Sequence, residues 1–470
     1  MKKQPASKSY FFDKGYRDVA RVMKKTWANA FKPVSNEAER VKDIFSNNVI
    51  AGIFTVLCDI VVFSLITIFI ITVNLIFSIL FFCFFVFVGI FVYLGYSVLS
   101  IVDFIFCMFK HISSHCPNCQ KKFGLPTYKC PKCGALHTSL RPSKYGILKR
   151  KCNCGEKLPT TFFNGRQKLK AVCPYCGTNI KDGGQHIEIT IPVVGGPSAG
   201  KTCFINMAIS QIGNVAAQNK LDFSYSPING DEYMSNKQYM DHGRLPAKTN
   251  DGRLRYYQFY LTPKGEKIKN LISLCDVAGE TYEDNDEIGN QIGYKYANAF
   301  LMLVDPLSIT KFRDELKGKI DLRKYGASER GMDEILSVLV NTLENMHCLT
   351  SRNMIKTDVV VVFTKCDIPT LETRIGTTAV RKYMQEHHIS SKYDAQNKLC
   401  ESFLSEYEED NFLNGLKSKF RSVQFFTCSA LGHVENGAKF NPSGVEDPVL
   451  WLIDKVSSSI DLKDKWGKHI

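Results

Sequence analysis

The stretch IEITIPVVGGPSAGKT, residues 187–202, decides the fold of the larger part of this chain. Its alternating and then continuous apolar residues predict a buried β-strand. The strand runs into Gly195-x-x-x-x-Gly200-Lys201-Thr202, the pattern of a phosphate-binding P-loop. Glycines let the backbone turn tightly, so that consecutive N–H groups point at phosphate oxygens. The residues that follow predict a helix, whose positive N-terminal end favours anion binding.

The P-loop side chains have distinct expected roles. Lys201 is expected to reach the β- and γ-phosphates of a nucleotide, and Thr202 to hold Mg²⁺. The competing interpretation is a glycine-rich turn in an unrelated α/β domain, which the motifs further along the chain argue against. The expected nucleotide contacts of this segment are Gly195, Ser198, Ala199, Gly200, Lys201, Thr202 and Cys203.

Length, charge and cysteine usage indicate several modules. The chain has 470 residues and a formal net charge of +14. Residues 1–48 carry +6 and residues 110–190 carry +12, so the P-loop region is nearly neutral. Eight of the seventeen cysteines lie in close pairs, which fits metal ligands in a reducing cytosol better than a secreted disulfide framework.

Residues 1–48 are basic, and no apolar signal-peptide core opens the chain. Apolar side chains recur at helical spacing with basic side chains between them, which predicts a basic amphipathic helix. Such a helix could lie on an anionic membrane surface or pack on the protein's own domains, and the sequence leaves both open. The apolar positions are Tyr16, Val19, Ala20, Met23, Trp27, Ala30 and Phe31.

The apolar segment from Val49 to Phe109 predicts membrane insertion. Between Asp59 and Asp103 lie 43 residues without a charge. As one helix they would extend about 64 Å, twice the ~30 Å hydrocarbon core of a bilayer. We therefore expect two transmembrane helices in a hairpin, with the turn between residues 74 and 82. Both flanks are basic, so both ends are expected to face the cytoplasm. Each Asp is either a functional intramembrane acid or an interfacial residue.

Four close pairs of cysteines follow the apolar segment. Eight thiolates are the ligands for two closed tetrahedral zinc sites. The repeated Cys-Pro-x-Cys, with a glycine after it, resembles the zinc-ribbon family with its rubredoxin-type knuckles. Sequential pairing is the simplest expectation, the first pair with the second and the third with the fourth; redox-active dithiols are the alternative. The pairs are Cys116/Cys119, Cys130/Cys133, Cys152/Cys154 and Cys173/Cys176.

The predicted ribbons carry most of the positive charge. Two kinds of partner fit this charge: nucleic acid or another anionic molecule, and the anionic lipid a few residues away. Aromatic side chains for base stacking are sparse, so a lipid bilayer or a protein partner is favoured over nucleic acid. The basic residues are Lys144, Lys149, Arg150, Lys151, Arg166, Lys168 and Lys170.

From His186 onward, strands and helices alternate, which predicts an α/β sheet. Asp276 ends one apolar strand and is expected to take a magnesium-bound water, while Gly279 lets a backbone N–H meet the γ-phosphate. Residues 218–250 are expected to be irregular. The predicted strands are 256–261, 271–275, 300–304, 358–363 and 423–427, and the predicted helices are 332–346 and 446–456.

Four motifs in order resemble a Ras-like GTPase of the TRAFAC class. They are the P-loop, Asp276-x-x-Gly279, Thr364-Lys365-x-Asp367 and Ser429-Ala430, each after a predicted strand. The resemblance covers about residues 186–470. Within that class, DVAGE, LVDP, LPAKT and VEDPVLWLI are similar to bacterial double-GTPase-type domains.

The resemblance implies a guanine nucleotide. Lys365 would pack on the guanine ring, Asp367 would accept from its N1–H and N2–H₂, and the Ala430 backbone would meet O6. Glu280 stands where Ras has the glutamine that orients water, and Thr249 is either the magnesium ligand of switch I or an ordinary loop threonine. The implied catalytic residues are Lys201, Thr249 and Glu280. The implied contacts of the base are Thr364, Lys365, Asp367, Ser429, Ala430 and Leu431, and the implied magnesium ligands are Thr202, Thr249 and Asp276.

The sequence therefore predicts an α/β fold with a P-loop GTPase-like central sheet, flanking helices, two zinc-ribbon modules and a transmembrane hairpin. The expected cofactors are GTP or GDP, Mg²⁺ and two Zn²⁺. The expected function is a membrane-anchored GTPase switch, with an adaptor that binds GTP structurally as the alternative. We expect a bacterial inner-membrane protein with its N-terminus, ribbons and GTPase domain in the cytoplasm, and an unknown protein effector or regulator. The predicted domains are 1–48, 49–110, 111–185 and 186–470.

Overall fold

The structure is a computed structural model that falls into two compact units. One unit comprises Met1–Phe109 and Pro126–Pro174, and the other comprises Lys110–Leu125 and Tyr175–Ile470. The residues described are 4–47, 49–116, 118–119, 121–180, 184–226, 230–246, 255–266, 268–276, 294, 296–328, 330–346, 348–350, 354–432, 439–457 and 459–462.

Helices dominate both units of the described chain. They are α1 (Lys14–Ala30), α2 (Lys32–Asn47), α3 (Val49–Phe109), α4 (Lys201–Gln218), α5 (Gly230–Asp241), α6 (Thr310–Leu316), α7 (Leu322–Tyr325), α8 (Met332–Asn345), α9 (Pro369–Arg374), α10 (Thr377–His387), α11 (Lys392–Glu406), α12 (Asp410–Lys419) and α13 (Asp447–Val456).

The strands are short before residue 185 and longer after it. They are β1 (Ser114–His115), β2 (Lys122–Phe123), β3 (Thr127–Lys129), β4 (Leu136–His137), β5 (Lys149–Lys151), β6 (Lys157–Pro159), β7 (Ala171–Val172), β8 (Asn179–Ile180), β9 (Ile187–Gly195), β10 (Leu221–Tyr225), β11 (Arg255–Pro263), β12 (Asn270–Asp276), β13 (Ala299–Val304), β14 (Asp358–Phe363) and β15 (Val423–Thr427).

The apolar segment of the first unit is one continuous helix, so the expected hairpin is wrong. Helix α3 has 61 residues and a length of about 90 Å. The region expected to turn has neither Pro nor Gly, and Asn74 Nδ2 donates to Ile70 O inside the helix at 2.9 Å. Since nothing interrupts the backbone hydrogen bonds there, the helix runs on. The stretch Ile60–Phe109 is the one described helix that is long and apolar enough to span a membrane.

The N-terminal segment packs within its own unit. The structure confirms the amphipathic helix as α1, and Trp27 Nε1 donates to Ser78 Oγ of α3 at 3.1 Å. Ahead of α1, Ser7 N donates to Lys151 O at 3.1 Å and Ser9 N to Lys144 O at 3.0 Å. Strands β3 to β6, residues 127–159, are called the inner ribbon below. These contacts place Ser7 and Ser9 on the inner ribbon.

The last turns of α3 are tied to the same unit by a buried ion pair. Asp103 and Arg166 are 2% and 1% exposed, and Arg166 Nη1 lies 2.8 Å from Asp103 Oδ2. Arg166 Nη1 also donates to Thr160 O at 2.7 Å, and Asp103 Oδ1 accepts from Phe162 N at 2.7 Å. A buried charge pair needs such additional hydrogen bonds to offset desolvation. Asp103 is therefore a structural partner of Arg166; the side chain of Asp59 lies outside the described residues.

The second unit contains a mixed sheet, which confirms the predicted α/β class. Its described strands have the order β10-β11-β12-β9-β13-β14-β15. The five strands from β12 to β15 in this order pair in parallel, and β10 and β11 pair antiparallel at one edge. Parallel strands covered on both faces need continuous apolar sequence, and every residue of β9, β12, β13 and β14 is buried.

The core lies on both faces of this sheet. Successive side chains of a strand point to opposite faces, and β14 accordingly contributes Val361 to one apolar cluster and Val362 to the other. The sequence also contains elements that periodicity missed. Residues 218–250 were expected to be irregular, yet β10 and α5 lie within them, because β10 has polar residues on its exposed face and is a strand through pairing with β11. The domain boundaries stay predictions.

Candidate functional sites

The P-loop lies between β9 and α4, at the carboxyl end of the parallel strands. Ser198 and Gly200 have φ values of +61° and +85°, so the loop turns through left-handed conformations before α4 begins at Lys201. A Cβ on Gly195 would lie 2.7 Å from Leu303 O, which requires glycine there. Lys201 Nζ donates to Gly195 O at 2.8 Å and to Gly196 O at 3.1 Å. The ammonium is therefore held inside the loop.

Two of the expected magnesium ligands are already in contact. Thr202 Oγ1 donates to Asp276 Oδ2 at 2.9 Å, and Asp276, the last residue of β12, is 1% exposed. A hydroxyl and a carboxylate side by side are the oxygen ligands that Mg²⁺ prefers. Burial, with the nearby Asp276 charge, raises the pKa of the Cys203 thiol to about 12. The thiol of Cys203 is therefore neutral near pH 7, and its expected nucleotide contact stays a prediction.

The two loops of the expected base site also meet. Ser429 Oγ donates to Asp367 Oδ1 at 2.7 Å and accepts from Gly432 N at 2.8 Å. Cys366 N donates to Cys428 O at 3.1 Å, which joins the loop after β14 to the loop after β15. The Asp367 carboxylate is thus oriented by the neighbouring loop. Backbone hydrogen bonds fix the residues on either side of Ala430: Ser429 N donates to Ser443 O at 2.9 Å, and Asn441 N donates to Leu431 O at 2.8 Å.

Sequence reasoning missed one residue of this region. Asp305 follows β13 and is 2% exposed, and its Oδ2 accepts from Lys365 Nζ at 2.6 Å. The sequence did contain a signal: an aspartate directly after a buried strand. That aspartate belongs to neither the P-loop nor the Thr364–Asp367 motif, so it was given no role. Thr249, Gly279 and Glu280 lie outside the described residues, so their expected roles stay predictions.

The eight paired cysteines gather into two groups of four, but not in the expected pairing. Cys116 Sγ lies 3.4 Å from Cys176 Sγ, and Cys130 Sγ lies 3.6 Å from Cys154 Sγ. The first pair therefore joins the fourth and the second joins the third, so the sequential pairing is wrong. The Sγ atoms within each group lie within 4.8 Å of one another. The groups are Cys116, Cys119, Cys173 and Cys176, and Cys130, Cys133, Cys152 and Cys154.

Local strand pairing explains the nested arrangement. Strand β3 precedes Cys130 and β7 precedes Cys173, and the two strands pair antiparallel with Tyr128 opposite Ala171. The chain between them must fold back on itself, which closes the inner ribbon on its own two cysteine pairs. Four thiols in such a group are the donor set of a structural zinc site.

The thiols differ in acidity before any metal binds. Burial raises the pKa of Cys116 and of Cys152 to about 12. A hydrogen bond from the backbone N–H of Glu156 lowers the pKa of Cys154 to about 7, and hydrogen bonds from Thr178 lower that of Cys176 to about 6. Hydrogen bonds thus favour the thiolate form of one cysteine in each group, and bound Zn²⁺ would deprotonate the others.

Fold and site together define a P-loop domain of the GTPase type: a mixed sheet with a phosphate-binding loop, a Thr–Asp pair and an oriented aspartate at the strand ends. The comparison with protein families agrees. Residues 189–409 match the model of the Double-GTPase 2 family, DO-GTPase2. The matched range includes the P-loop, Asp276 and the Thr364–Asp367 motif. It ends before β15, so the loop from Ser429 lies outside it. No curated protein matches the chain.

Proposed function

We propose that this protein is a membrane-anchored GTP-binding protein that hydrolyses GTP as a molecular switch. The observation that carries the proposal is the Asp367 carboxylate held by Ser429 at the same end of the sheet as the P-loop. A carboxylate only accepts hydrogen bonds. Guanine offers it two donors, whereas adenine would leave an acceptor facing a partly buried charge, which costs binding free energy.

The phosphate side supports magnesium-dependent binding. Lys201 and the P-loop N–H groups would hold the β- and γ-phosphates, and Thr202 with Asp276 would hold Mg²⁺, which neutralises charge developing in the transition state. GTP with Mg²⁺ would order the switch segments around Thr249 and Gly279, and hydrolysis would release them. Glu280 is the candidate for orienting the attacking water. No motif of the sequence identifies a built-in arginine finger, so we expect slow turnover, about 10⁻⁴–10⁻² s⁻¹.

Helix α3 supports a membrane anchor. The stretch Ile60–Phe109 is strongly apolar, and many of its large side chains, such as Leu65, Phe69 and Leu80, are exposed by more than 60%. Apolar surface of this extent is stable in hydrocarbon rather than water. Ser7 and Ser9 pair with the inner ribbon, so these residues and the ribbon would lie on one side of the bilayer. Their positive charge favours the cytoplasmic side.

The zinc ribbons are proposed as structural modules that a protein effector or regulator binds. Zinc-bound thiolate groups fix short chain segments that lack a large core of their own. The nearby basic side chains also suit an anionic membrane surface.

Nucleotide turnover tests the proposal. Purified full-length protein in nanodiscs is incubated with Mg²⁺ and either GTP or ATP, and released phosphate is measured under single-turnover and steady-state conditions. We expect slow hydrolysis of GTP and no hydrolysis of ATP. Lys201→Ala, the matched control that lacks the phosphate-binding ammonium, should hydrolyse neither. Tight GTP binding without hydrolysis would instead support an adaptor, and hydrolysis of ATP at the same rate would exclude guanine recognition.

A further inference from the structure

The Asp305 carboxylate is the centre of a buried polar network between the two halves of the nucleotide site. It follows β13, whose neighbours are β9, which leads into the P-loop, and β14, which leads into Thr364. Its Oδ1 accepts from Leu307 N at 3.0 Å. Its Oδ2 accepts from Ser328 N at 2.8 Å and from Lys365 Nζ at 2.6 Å. One carboxylate thus fixes a turn, a loop and a lysine.

Lys365 is held in one orientation by this network. Its backbone is left-handed, with φ of +58°, and its side chain is only 15% exposed. The ammonium donates to Gly326 O at 2.7 Å as well as to Asp305. A free lysine side chain loses rotamer entropy when it is fixed. Lys365 is already ordered before any ligand binds, so a contact that it makes with a ligand is preorganised.

The loop on which this network closes also touches the P-loop. A Cβ placed on Gly196 would lie 2.7 Å from Ser328 Oγ and 3.2 Å from Ile335 Cδ1. Ser328 is 2% exposed. The segment Gly326–Ser328 is therefore packed against the phosphate-binding loop on one side and bonded to Asp305 and Lys365 on the other.

We propose that Asp305 is a positioning residue for guanine nucleotides: it fixes Lys365 for the base and, through Gly326–Ser328, links the base loop to the P-loop. This inference rests on the proposed GTP binding. Asp305 does not touch the nucleotide itself; it acts through Lys365. Removing it frees the lysine, and GTP affinity falls because the ordering of the side chain then opposes binding.

A purely structural role for Asp305 is the competing explanation, because a buried carboxylate also stabilises the turn at Leu307. A double-mutant cycle separates the two explanations, since only residues that act together give non-additive effects. Asp358 provides a matched control. It is a buried aspartate, 1% exposed, at the start of β14, and it pairs with Arg421 rather than with a residue of the nucleotide site.

The experiment measures the Kd of GTP for the full chain in nanodiscs by titration with a fluorescent GTP analogue and unlabelled competitor. Asp305→Asn is expected to weaken GTP binding by about 2- to 10-fold, the scale of having to order one long side chain on binding, and Lys365→Ala by at least as much. The double variant is expected to bind no more weakly than Lys365→Ala. Asp358→Asn should lower the melting temperature and leave the Kd unchanged.

Three outcomes would overturn the proposal: an unchanged Kd in Asp305→Asn, additive losses in the double variant, or an equal loss of affinity in Asp358→Asn. If the wild-type chain fails to bind GTP, the proposed function fails and this inference fails with it; loss of the coupling alone overturns only the inference. If Asp305→Asn does not fold, Lys365→Met decides the matter. Methionine keeps the apolar stem of the side chain but has no ammonium for Asp305 to bind. We therefore expect the same loss of GTP affinity as in Lys365→Ala. Wild-type affinity in Lys365→Met would contradict the inference.

Discussion

The nucleotide site and the cysteine groups reach their geometry in opposite ways. At the nucleotide site, strands buried along their whole length bring Lys201, Thr202 and Lys365 to protein partners 2.6–3.1 Å away. The cysteines instead lie beside strands of two or three residues. Thiols 3.4–3.6 Å apart are crowded, and as thiolates they repel one another unless a cation joins them. A hydrophobic core therefore prepares the first site, whereas we expect bound metal to complete the second.

The largest expected effect tests the first half of this comparison. Asp367→Asn replaces a group that only accepts with one that also donates, so the variant should lose GTP and gain xanthosine triphosphate, whose 2-oxo group accepts. Sites built around a substrate N–H discriminate by up to ~10⁴–10⁵. Competition binding measures the exchange. Lys201→Ala is the control and should lose both nucleotides, with zinc content unchanged in either variant. An undiminished GTP preference in Asp367→Asn would remove Asp367 from base recognition.

Zinc content tests the second half. In the nested arrangement, Cys116→Ser with Cys176→Ser damages one site and should remove about one of two zinc ions. Cys116→Ser with Cys130→Ser damages both sites and should remove both. Sequential pairing would give the opposite results: both zinc ions would be lost from the first double variant and only one from the second. Elemental analysis and GTP titration are done on the same samples, and GTP affinity should be unaffected. Iron in place of zinc, or loss of GTP binding on metal loss, would break the comparison.

Glycine substitutions give a smaller effect that sharpens the contrast. Gly195→Ala would place a Cβ 2.7 Å from Leu303 O between packed strands, and we expect a loss of about 2–4 kcal/mol in unfolding free energy together with weaker GTP binding. Gly134→Ala has open space and is strained only by its φ of +70°. It should cost about 1 kcal/mol and retain zinc. Chemical denaturation compares the two, and equal losses would mean that the ribbon is as tightly packed as the sheet.

The smallest effect concerns pH. Burial raises the pKa of Asp358, but hydrogen bonds from Arg421 and Ser422 outweigh burial and hold it below its ordinary value of 3.8. A depressed carboxyl pKa adds stability above the unfolded-state pKa, and this stability is lost as the pH falls through the folded-state pKa. Asp358→Asn should thus cost about 1–3 kcal/mol at pH 7, and the difference should shrink below about pH 4. Asp314→Asn, at the exposed pair with Lys317, is the control without measurable loss. The measurement is the melting temperature of wild type and variant as a function of pH. A difference between the two that does not change with pH would exclude the ion pair as the cause of the stability loss.

The sequence was sufficient to predict an element of the fold wherever its residue pattern is compatible with only one kind of secondary structure. Buried parallel strands require continuous apolar runs, so β9, β12, β13 and β14 were predictable, and the motifs after them lie together at the strand ends. Asp305 was not assigned a role, because a lone aspartate after a strand does not name its partner. Its contact with Lys365 depends on the adjacency of β13 and β14.

Elsewhere the pattern had several solutions. A charge-free run of residues without Pro suits one long helix as well as two, and α3 follows helix propensity where length alone suggested a turn. Four similar cysteine pairs can be joined in several ways, since spacing does not fix connectivity. The choice depends on the pairing of β3 with β7, and each of these strands is too short to predict. Strand β10 is half polar and exists through its hydrogen bonds to β11.

The nested cysteine pairs set an order of events during synthesis. Cys130 and Cys154 are 24 residues apart in sequence, whereas Cys116 and Cys176 are 60 apart. The inner group is complete when Cys154 has left the ribosome, while the outer group still lacks its last two ligands, Cys173 and Cys176. At roughly 5–20 residues per second, the missing stretch takes about one to four seconds to translate. Closing the shorter loop also costs less entropy. The nascent chain would therefore capture its first metal ion in the inner ribbon, before the P-loop has been made.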